Sequence, residues 1–556
     1  MTGRERVVYA LLLGLTLASM LGFLGWWALP DHVATNFTDS AHWLDLTLFV
    51  TLTFVFGHRV FMDCLTWVVV WAVRPRVEPP APPDNLRVAF ITTFVPSSEP
   101  VAMLRDNLPA MVAADYPHDT WLLDEGASPE AQAVCEELGV RYFTRSGIRE
   151  YNVVAGPFTR RTKGGNHNAW YHAHGLDYDV VAQIDTDFLP RRDFLTRTLG
   201  WFRDPRVGFV GTPQIYGNTD ESFVARGAAQ QLFAFYGPIM RGLADRGHAN
   251  MIGANHIVRV AALHDVGLYA GHLTEDLLTG MRLHAAGWES RYVPEPLAVG
   301  EGPWTWEAFF AQQMRWAFGC MDILRSHSFP LFGRMKRAQA SLYLALQQHY
   351  FGGIATALGV VLLLLYFGLG LVPANVGLLE MLGWATPFVL LRLALTRWIQ
   401  RLNCVRETER GWLLAGRYSA AVTWPVYFLA AVGVARQKRL VFRVTPKGES
   451  SKRRTPSAIY LPHLVIGLAL TAALASVPWT GRAAAPMLFW ASCSAALMLS
   501  FVVLVRVGDW RSGRDTPADS ARDTPTDAAR DTSTDVDLTN RDRDAVPSAS
   551  ATTTAG

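Results

Sequence analysis

The sequence predicts a multi-span α-helical membrane protein carrying a cytoplasmic α/β domain with a mostly parallel sheet. Three observations carry this. Apolar residues make up 50% of the 556 residues and gather in long charge-poor runs at the two ends, while charge gathers in the middle. Within that middle, short apolar runs alternate with helical patterns, the signature of strands joined by crossover helices. Two of those runs end in acid, at Asp124 and at Asp185-Thr186-Asp187, where open sheets of this class place their ligands.

The net charge of +3 is too small to point to nucleic acid, and no Lys/Arg stripe with interleaved aromatics appears. The five cysteines have neither paired nor metal-type spacing, so free thiols are expected. Among the 15 histidines the closest pair is His172 and His174, which lacks a companion carboxylate or cysteine and reads as structural.

Residues 7–29 are uncharged, apolar and long enough to cross a bilayer, with Arg4 and Arg6 before them. The following loop lacks Lys and Arg, which suits the outside; its Asn36-Phe37-Thr38 matches a glycosylation acceptor. A second span within 44–73 carries Arg59 and Asp63, four apart on one helical face and expected to pair. Arg74 and Arg76 then put the next segment inside. After the Pro-rich linker 78–83, strands are expected at 86–92, 120–123, 140–144 and 179–184, with helices at 101–113, 130–138 and 166–175. Residues 351–372 and 376–395 read as spans, and the Arg-rich segment 397–410 as cytoplasmic. Residues 412–435 are apolar but hold Arg417 and Pro425. If they crossed, the basic stretch 436–454 would lie outside, so they read as interfacial or re-entrant. A final hairpin at 459–479 and 486–505 makes six spans. From Gly508 the chain repeats Arg-Asp-Thr among small polar residues and reads as disordered. The expected organisation is two spans in 1–76, a catalytic domain with interfacial helices in 77–335, two spans in 336–396, an interfacial helix and loop in 397–458, two spans in 459–507, and a tail in 508–556.

The chemistry gathers on a few residues. Asp185 and Asp187, two apart at a strand end, can hold a hard divalent ion that bridges phosphate oxygens. Asp124 is expected beside them on the neighbouring strand, suited to gripping a nucleoside. Lys163-Gly164-Gly165-Asn166 opens a helix and suits an anion or a base edge, or is a solvated turn. In Thr274-Glu275-Asp276 a carboxylate early in a helix is expected to stay ionised and available as a base. In Gln312-Gln313-Met314-Arg315-Trp316 the Arg suits a diphosphate and the Trp offers a face to a sugar ring. Helix capping by Thr274 and a buried aromatic anchor explain either half alone; together they point to a nucleotide-sugar site.

These residues, with Gly253-Ala254-Asn255, Gly287-Trp288 and Phe442-Arg443-Val444-Thr445-Pro446-Lys447-Gly448, resemble the processive family 2 glycosyltransferases and, within them, the cellulose-synthase-like branch. The resemblance spans residues 44–505 in motif order. It implies a GT-A-like catalytic domain and inverting transfer from a UDP-sugar, with UDP-glucose and a cellulose-like β-glucan favoured, although a mannan or mixed glucan would use the same residues. It further implies Mg²⁺ or Mn²⁺ on Asp185 and Asp187, Asp124 at the uridine, and Asp276 as base with Glu275 beside it. Arg315 would steady the leaving diphosphate, and Trp316, with Gln312 and Gln313 in the same motif, would take the acceptor. Lys163, Asn166, Thr445 and Lys447 would complete the donor site. Implied partners are the growing polysaccharide, the lipid bilayer and accessory membrane or envelope proteins. The chain departs from the family in reading Asp124-Glu125 where two Asp are usual and in its longer opening loop, residues 92–99. Both changes touch the nucleoside end. No PilZ domain is read after the last span.

Two alternatives compete. A non-processive transferase acting on a lipid acceptor would not explain the Gln312–Trp316 cluster or the 442–448 loop, both of which belong with a held polymer. A transporter with a regulatory domain wants broken helices in matching halves of the membrane region, and no such repeat is found.

Overall fold

A computed structural model describes residues 1–405, 407–438 and 455–512. The 442–448 motif, with Thr445 and Lys447, and the tail from residue 513 lie outside the described residues.

The catalytic half is built on ten strands: β1 Val88–Phe94, β2 Asp119–Asp124, β3 Arg141–Thr144, β4 Val180–Asp185, β5 Leu189–Pro190, β6 Val207–Gly211, β7 Ile215–Tyr216, β8 Asn255–Arg259, β9 Glu289–Tyr292 and β10 Ala298–Gly300. Seven form one sheet in the order β3-β2-β1-β4-β8-β6-β9, and β5, β10 and β7 form a small second sheet. In the large sheet all pairings are parallel except those of β8, which runs antiparallel to both β4 and β6. The alternation of β1 explains why this sheet is covered on both faces. Val88, Phe90 and Phe94 pack with the helices Ala102–Val112 and Pro129–Leu138, while Ala89 and Ile91 pack on the other face with Trp170 and Tyr171 of the helix Lys163–His174. That last helix starts three residues before the expected 166, because Thr162 caps it by accepting from Gly165 N at 3.0 Å.

Asp124 does not neighbour Asp185. β1 lies between β2 and β4, with Phe94 opposite Asp124 on one side and Thr93 opposite Asp185 on the other. The expectation failed because chain order does not give sheet order: the third and fourth strands lie on opposite sides of the first.

Among the described residues, seven helices are long and apolar enough to cross a membrane, one more than the six expected. The addition is Leu414–Ala435, which is also half buried within the protein, against 6% for the helix His42–Trp71. It is split in two at Thr423, ahead of Pro425. Its first part lies against the helix Phe223–Ala234, where Gly416 N donates to Gln230 Oε1 at 2.8 Å, and its second part against Trp306–Ile323, where Tyr427 donates to Gln313 Oε1 at 2.7 Å.

Arg59 and Asp63 pair at 3.5 Å as expected, and Arg392 of the helix Leu378–Ile399 adds a two-pronged contact to the same carboxylate. Asn36 is not offered for modification: its amide nitrogen donates to Asp45 Oδ1 and to Val372 O, each at 2.8 Å, and its oxygen accepts from Val372 N. All five cysteines are free thiols.

Candidate functional site

The sheet delivers its acidic residues to the mouth of one cavity of about 1820 Å³. Asp185, at the end of β4, accepts from Lys163 Nζ, and the same ammonium donates to Gly253 O at 2.7 Å. Asp187 follows two residues on and is buried; Thr186 between them is tied to the Thr93 carbonyl of β1, which fixes the turn. Both carboxylates line the cavity. Among the described residues no set of three or more His, Cys, Asp or Glu is arranged to hold a metal. Asn166 lies beneath, its amide nitrogen on Leu123 O at 3.1 Å and its oxygen buried without a partner at the cavity wall.

Asp124 does not line the cavity. Its side chain is fully buried and accepts from Gly126 N, Ser128 N and Tyr142 Oη at 2.8, 2.6 and 2.8 Å, three of about four acceptor positions. The carboxylate that reaches the cavity is that of Glu125, held in a two-pronged pair by the buried Arg145 at 2.7 and 2.8 Å. Sequence reading noted Glu125 as a departure but missed Arg145, which lies 20 residues away with no motif around it.

On the far side of the cavity, Thr274 does not cap the helix Glu275–Ala285 through its side chain, which removes the capping explanation for that residue. Asp276 accepts from Leu277 N at 2.8 Å and faces Gly253, where a Cβ would come within 2.9 Å of Asp276 Oδ2. The glycine is what lets the carboxylate lie against the backbone of the loop whose carbonyl holds Lys163. The helix terminus alone would favour the ionised form of this carboxylate, as expected from its position. Instead burial dominates and pushes Asp276 upward, opposed by the Leu277 N–H, Lys163 and Arg315. Glu275 rises further, to about 7, through burial first and the neighbouring Asp276 charge second. Burial thus raises both acids, Glu275 to about 7, and because the two charges repel one another they lose their protons as a pair.

The helix Trp306–Ile323, capped by Thr305 on Ala308 N at 3.2 Å, brings up the third group. Gln312 donates to Tyr216 Oη at 3.1 Å and keeps its own amide oxygen buried and unpartnered, while Gln313, also on the cavity, accepts from Tyr427 Oη. Arg315 and Trp316 line the same cavity as Asp185 and Asp276, one turn further along the helix. From there the cavity continues without a wall between the membrane helices, past Trp424 and Tyr427 to His58, Arg59 and Thr66 of His42–Trp71. The structure thus brings together Lys163, Asn166, Asp185, Asp187, Glu275, Asp276, Gln312, Gln313, Arg315 and Trp316, and leaves out Asp124.

This sheet order, with one reversed strand and acids at the ends of β4 and of the loop before Glu275, is GT-A-like, and the chain matches the glycosyl transferase family group 2 model over residues 180–435. That match covers a little under half of the chain and is to a glycosyltransferase catalytic domain. Among curated proteins the likeness runs to cellulose synthases. The chain is 28% identical to a cellulose synthase catalytic subunit [UDP-forming] of Xanthomonas axonopodis pv. citri over 63% of this chain and 47% of that one. It is 26% identical to cellulose synthase 1 of Komagataeibacter xylinus over 78% of this chain and 27% of that one. It therefore spans about half or less of the length of these two relatives. Among solved structures it resembles a mannosyltransferase from Pyrobaculum calidifontis in complex with GDP-Man and Mn²⁺, at a TM-score of 0.45 and 16% identity over 70% of this chain and 100% of that one.

Proposed function

We propose that this protein is a membrane-embedded, inverting polymerase that adds sugars from a UDP-sugar to a growing chain and passes that chain between its own membrane helices, with UDP-glucose and a cellulose-like β-glucan as donor and product. The observation that carries this reading is the continuity of the cavity. At about 1820 Å³ it is roughly twice the size of an ordinary ligand pocket, about 300–1,000 Å³, and it leads from the acids of the sheet past Trp316 into the membrane region. A nucleotide-sugar alone does not need that volume; a donor and a held chain do.

In this reading the donor diphosphate lies between Asp185 and Asp187 on one side and Arg315 on the other. The two carboxylates are hard oxygen donors, and a cationic ammonium already sits on Asp185, so the pair fits Mg²⁺ or Mn²⁺ held jointly with substrate phosphates. When bound, such an ion neutralises charge developing on the leaving diphosphate. Asp276 accepts the proton of the acceptor hydroxyl as its oxygen attacks the anomeric carbon from the face opposite the diphosphate, and burial, by raising its pKa, makes it a stronger base than an exposed carboxylate. Trp316 stacks on the acceptor ring, and the orphaned oxygens of Asn166 and Gln312 accept from substrate hydroxyl or amide groups. Glu125, rather than Asp124, meets the nucleoside end.

The domain lies in the cytoplasm. The broken, half-buried helix Leu414–Ala435 lies along the membrane surface rather than across it, which keeps six spans and leaves the basic segment that follows inside. The test is to feed membranes labelled UDP-glucose, UDP-N-acetylglucosamine and GDP-mannose and digest the product with linkage-specific hydrolases. Polymer from UDP-glucose cut by a β-glucanase supports the reading; a single sugar transferred to lipid overturns it.

A further inference from the structure

Two independent contacts weld the segment carrying the base to the helix carrying the acceptor platform. The first is polar. His272 lies two residues before Thr274, and its Nδ1 accepts from Thr274 N at 3.1 Å, with Thr274 Oγ1 also near at 3.2 Å. With Nδ1 accepting, the proton sits on Nε2, which donates to Asp322 Oδ2 at 3.2 Å. Both partners are buried, and Asp322 belongs to the helix Trp306–Ile323, six residues beyond Trp316. Arg325 at 3.3 Å completes the surroundings of Asp322, and the His327 ring stands 5.8 Å from that of His272. The second contact is steric. Gly319 of the same helix lies so close to Thr274 that a Cβ would meet Thr274 Cγ2 at 2.5 Å and Oγ1 at 2.6 Å.

We infer that His272 and Asp322 are positioning residues: through Thr274 they set the distance between the Asp276 carboxylate and the acceptor held at Trp316, and so decide whether the sugar goes to the acceptor or to water. The inference rests on the proposed polymerase reading. In either outcome the bond from the anomeric carbon to the diphosphate oxygen breaks, the electron pair leaves with UDP and Asp276 takes a proton. The new bond goes to an acceptor hydroxyl in one case and to a water oxygen in the other. A base held rigidly against the acceptor platform favours the first, since a misplacement of about 1 Å costs on the order of 10²-fold in transfer, whereas water can approach from anywhere. Loosening the weld therefore lowers transfer more than it lowers UDP release.

The measurement is the ratio of UDP released to sugar built into polymer, on full-length protein in membranes, for His272→Ala, Asp322→Ala, their double variant, and Asp322→Asn, which keeps an acceptor for His272 Nε2–H. The two alanine variants are expected to raise the ratio ~3-fold or more. The double variant should be no worse than either single, because both act through one contact, and Asp322→Asn should restore the ratio to near that of the unaltered protein. Gly319→Ala, which presses on Thr274 by the other route, should raise the ratio as well. An unchanged ratio while total turnover falls, or single effects that multiply in the double variant, overturns the inference. Failure of the unaltered protein to make any polymer would instead overturn the reading beneath it.

Discussion

Glu275 should destabilise the protein at the pH where it works. Its pKa rises from 4.5 to about 7 because burial disfavours its charge and Asp276 repels it. The sign follows from linkage. Below pH 4.5 the acid is protonated whether the chain is folded or unfolded, and it costs nothing. Between 4.5 and 7 the unfolded chain ionises first and the cost grows. Above 7 it is complete. At 1.36 kcal/mol per unit the rise corresponds to about 3 kcal/mol, an upper bound because Glu275 keeps some of its surface on the cavity. Glu275→Gln removes the ionisation and keeps the shape. In detergent-purified protein, followed by tryptophan fluorescence on heating, the variant should unfold at nearly the same temperature as its parent at pH 4.5. At pH 8 it should unfold higher, by about 6–12 °C at most if the catalytic domain melts as a unit of about 260 residues. A gap that fails to widen between pH 4.5 and 8, or a variant less stable at pH 8, would show that the environment of Glu275 is wetter or better paired than the structure has it.

The remaining predictions concern chemistry and topology. Asp276→Asn should retain UDP binding, measured by titration, while turnover falls on the order of 10²–10⁴-fold; loss of UDP binding would make the triplet part of the nucleotide pocket, and Glu275→Gln should lose far less turnover. Asp185→Ala and Asp187→Ala should each abolish divalent-ion-dependent transfer with the protein still folded in the membrane, and activity that persists and ignores a chelator would refute the metal assignment. With Cys493 replaced, a cysteine at Lys438 should resist impermeant thiol reagents in intact cells, and ready labelling from outside would turn Leu414–Ala435 into a seventh span.

Local patterns showed the catalytic domain well because each strand is a short apolar run bounded by turns, so β1, β2 and β4 fall within two residues of where periodicity puts them. Lateral order was not legible. Nothing in the run of Asp119–Asp124 says which edge of β1 it takes, and the misplacement of Asp124 beside Asp185 follows from that. Orientation at a strand end was equally hidden. Asp124 and Glu125 are adjacent acids, and only the N–H groups of Gly126 and Ser128 decide that the first turns inward. Motif residues that meet across the cavity, such as Lys163 with Asp185, were legible as a set but not as a contact. Arg145, His272 and Asp322 were missed since a single polar residue between unremarkable neighbours carries no spacing signal. The upward shift of Asp276 was hidden for a different reason: a helix end contributes a fraction of what enclosure by a cavity wall takes away.

The carboxylate of Asp63 is shared by a helix made early and a helix made more than three hundred residues later, Leu378–Ile399. Until the ribosome reaches Leu378–Ile399, Arg392 is not there to pair, and of the two arginines that hold Asp63 in the complete chain the first hairpin supplies Arg59, in a pair of modest worth. Biogenesis therefore includes an interval in which a charged helix waits for its partner, and the arrival of Arg392 closes the N-terminal hairpin onto the later membrane bundle. A chain stopped at residue 376 is expected to be degraded faster in cells than the complete one, and supplying residues 377–556 as a separate chain should slow its loss. No difference in lifetime between the two would mean that the hairpin is already settled without Arg392.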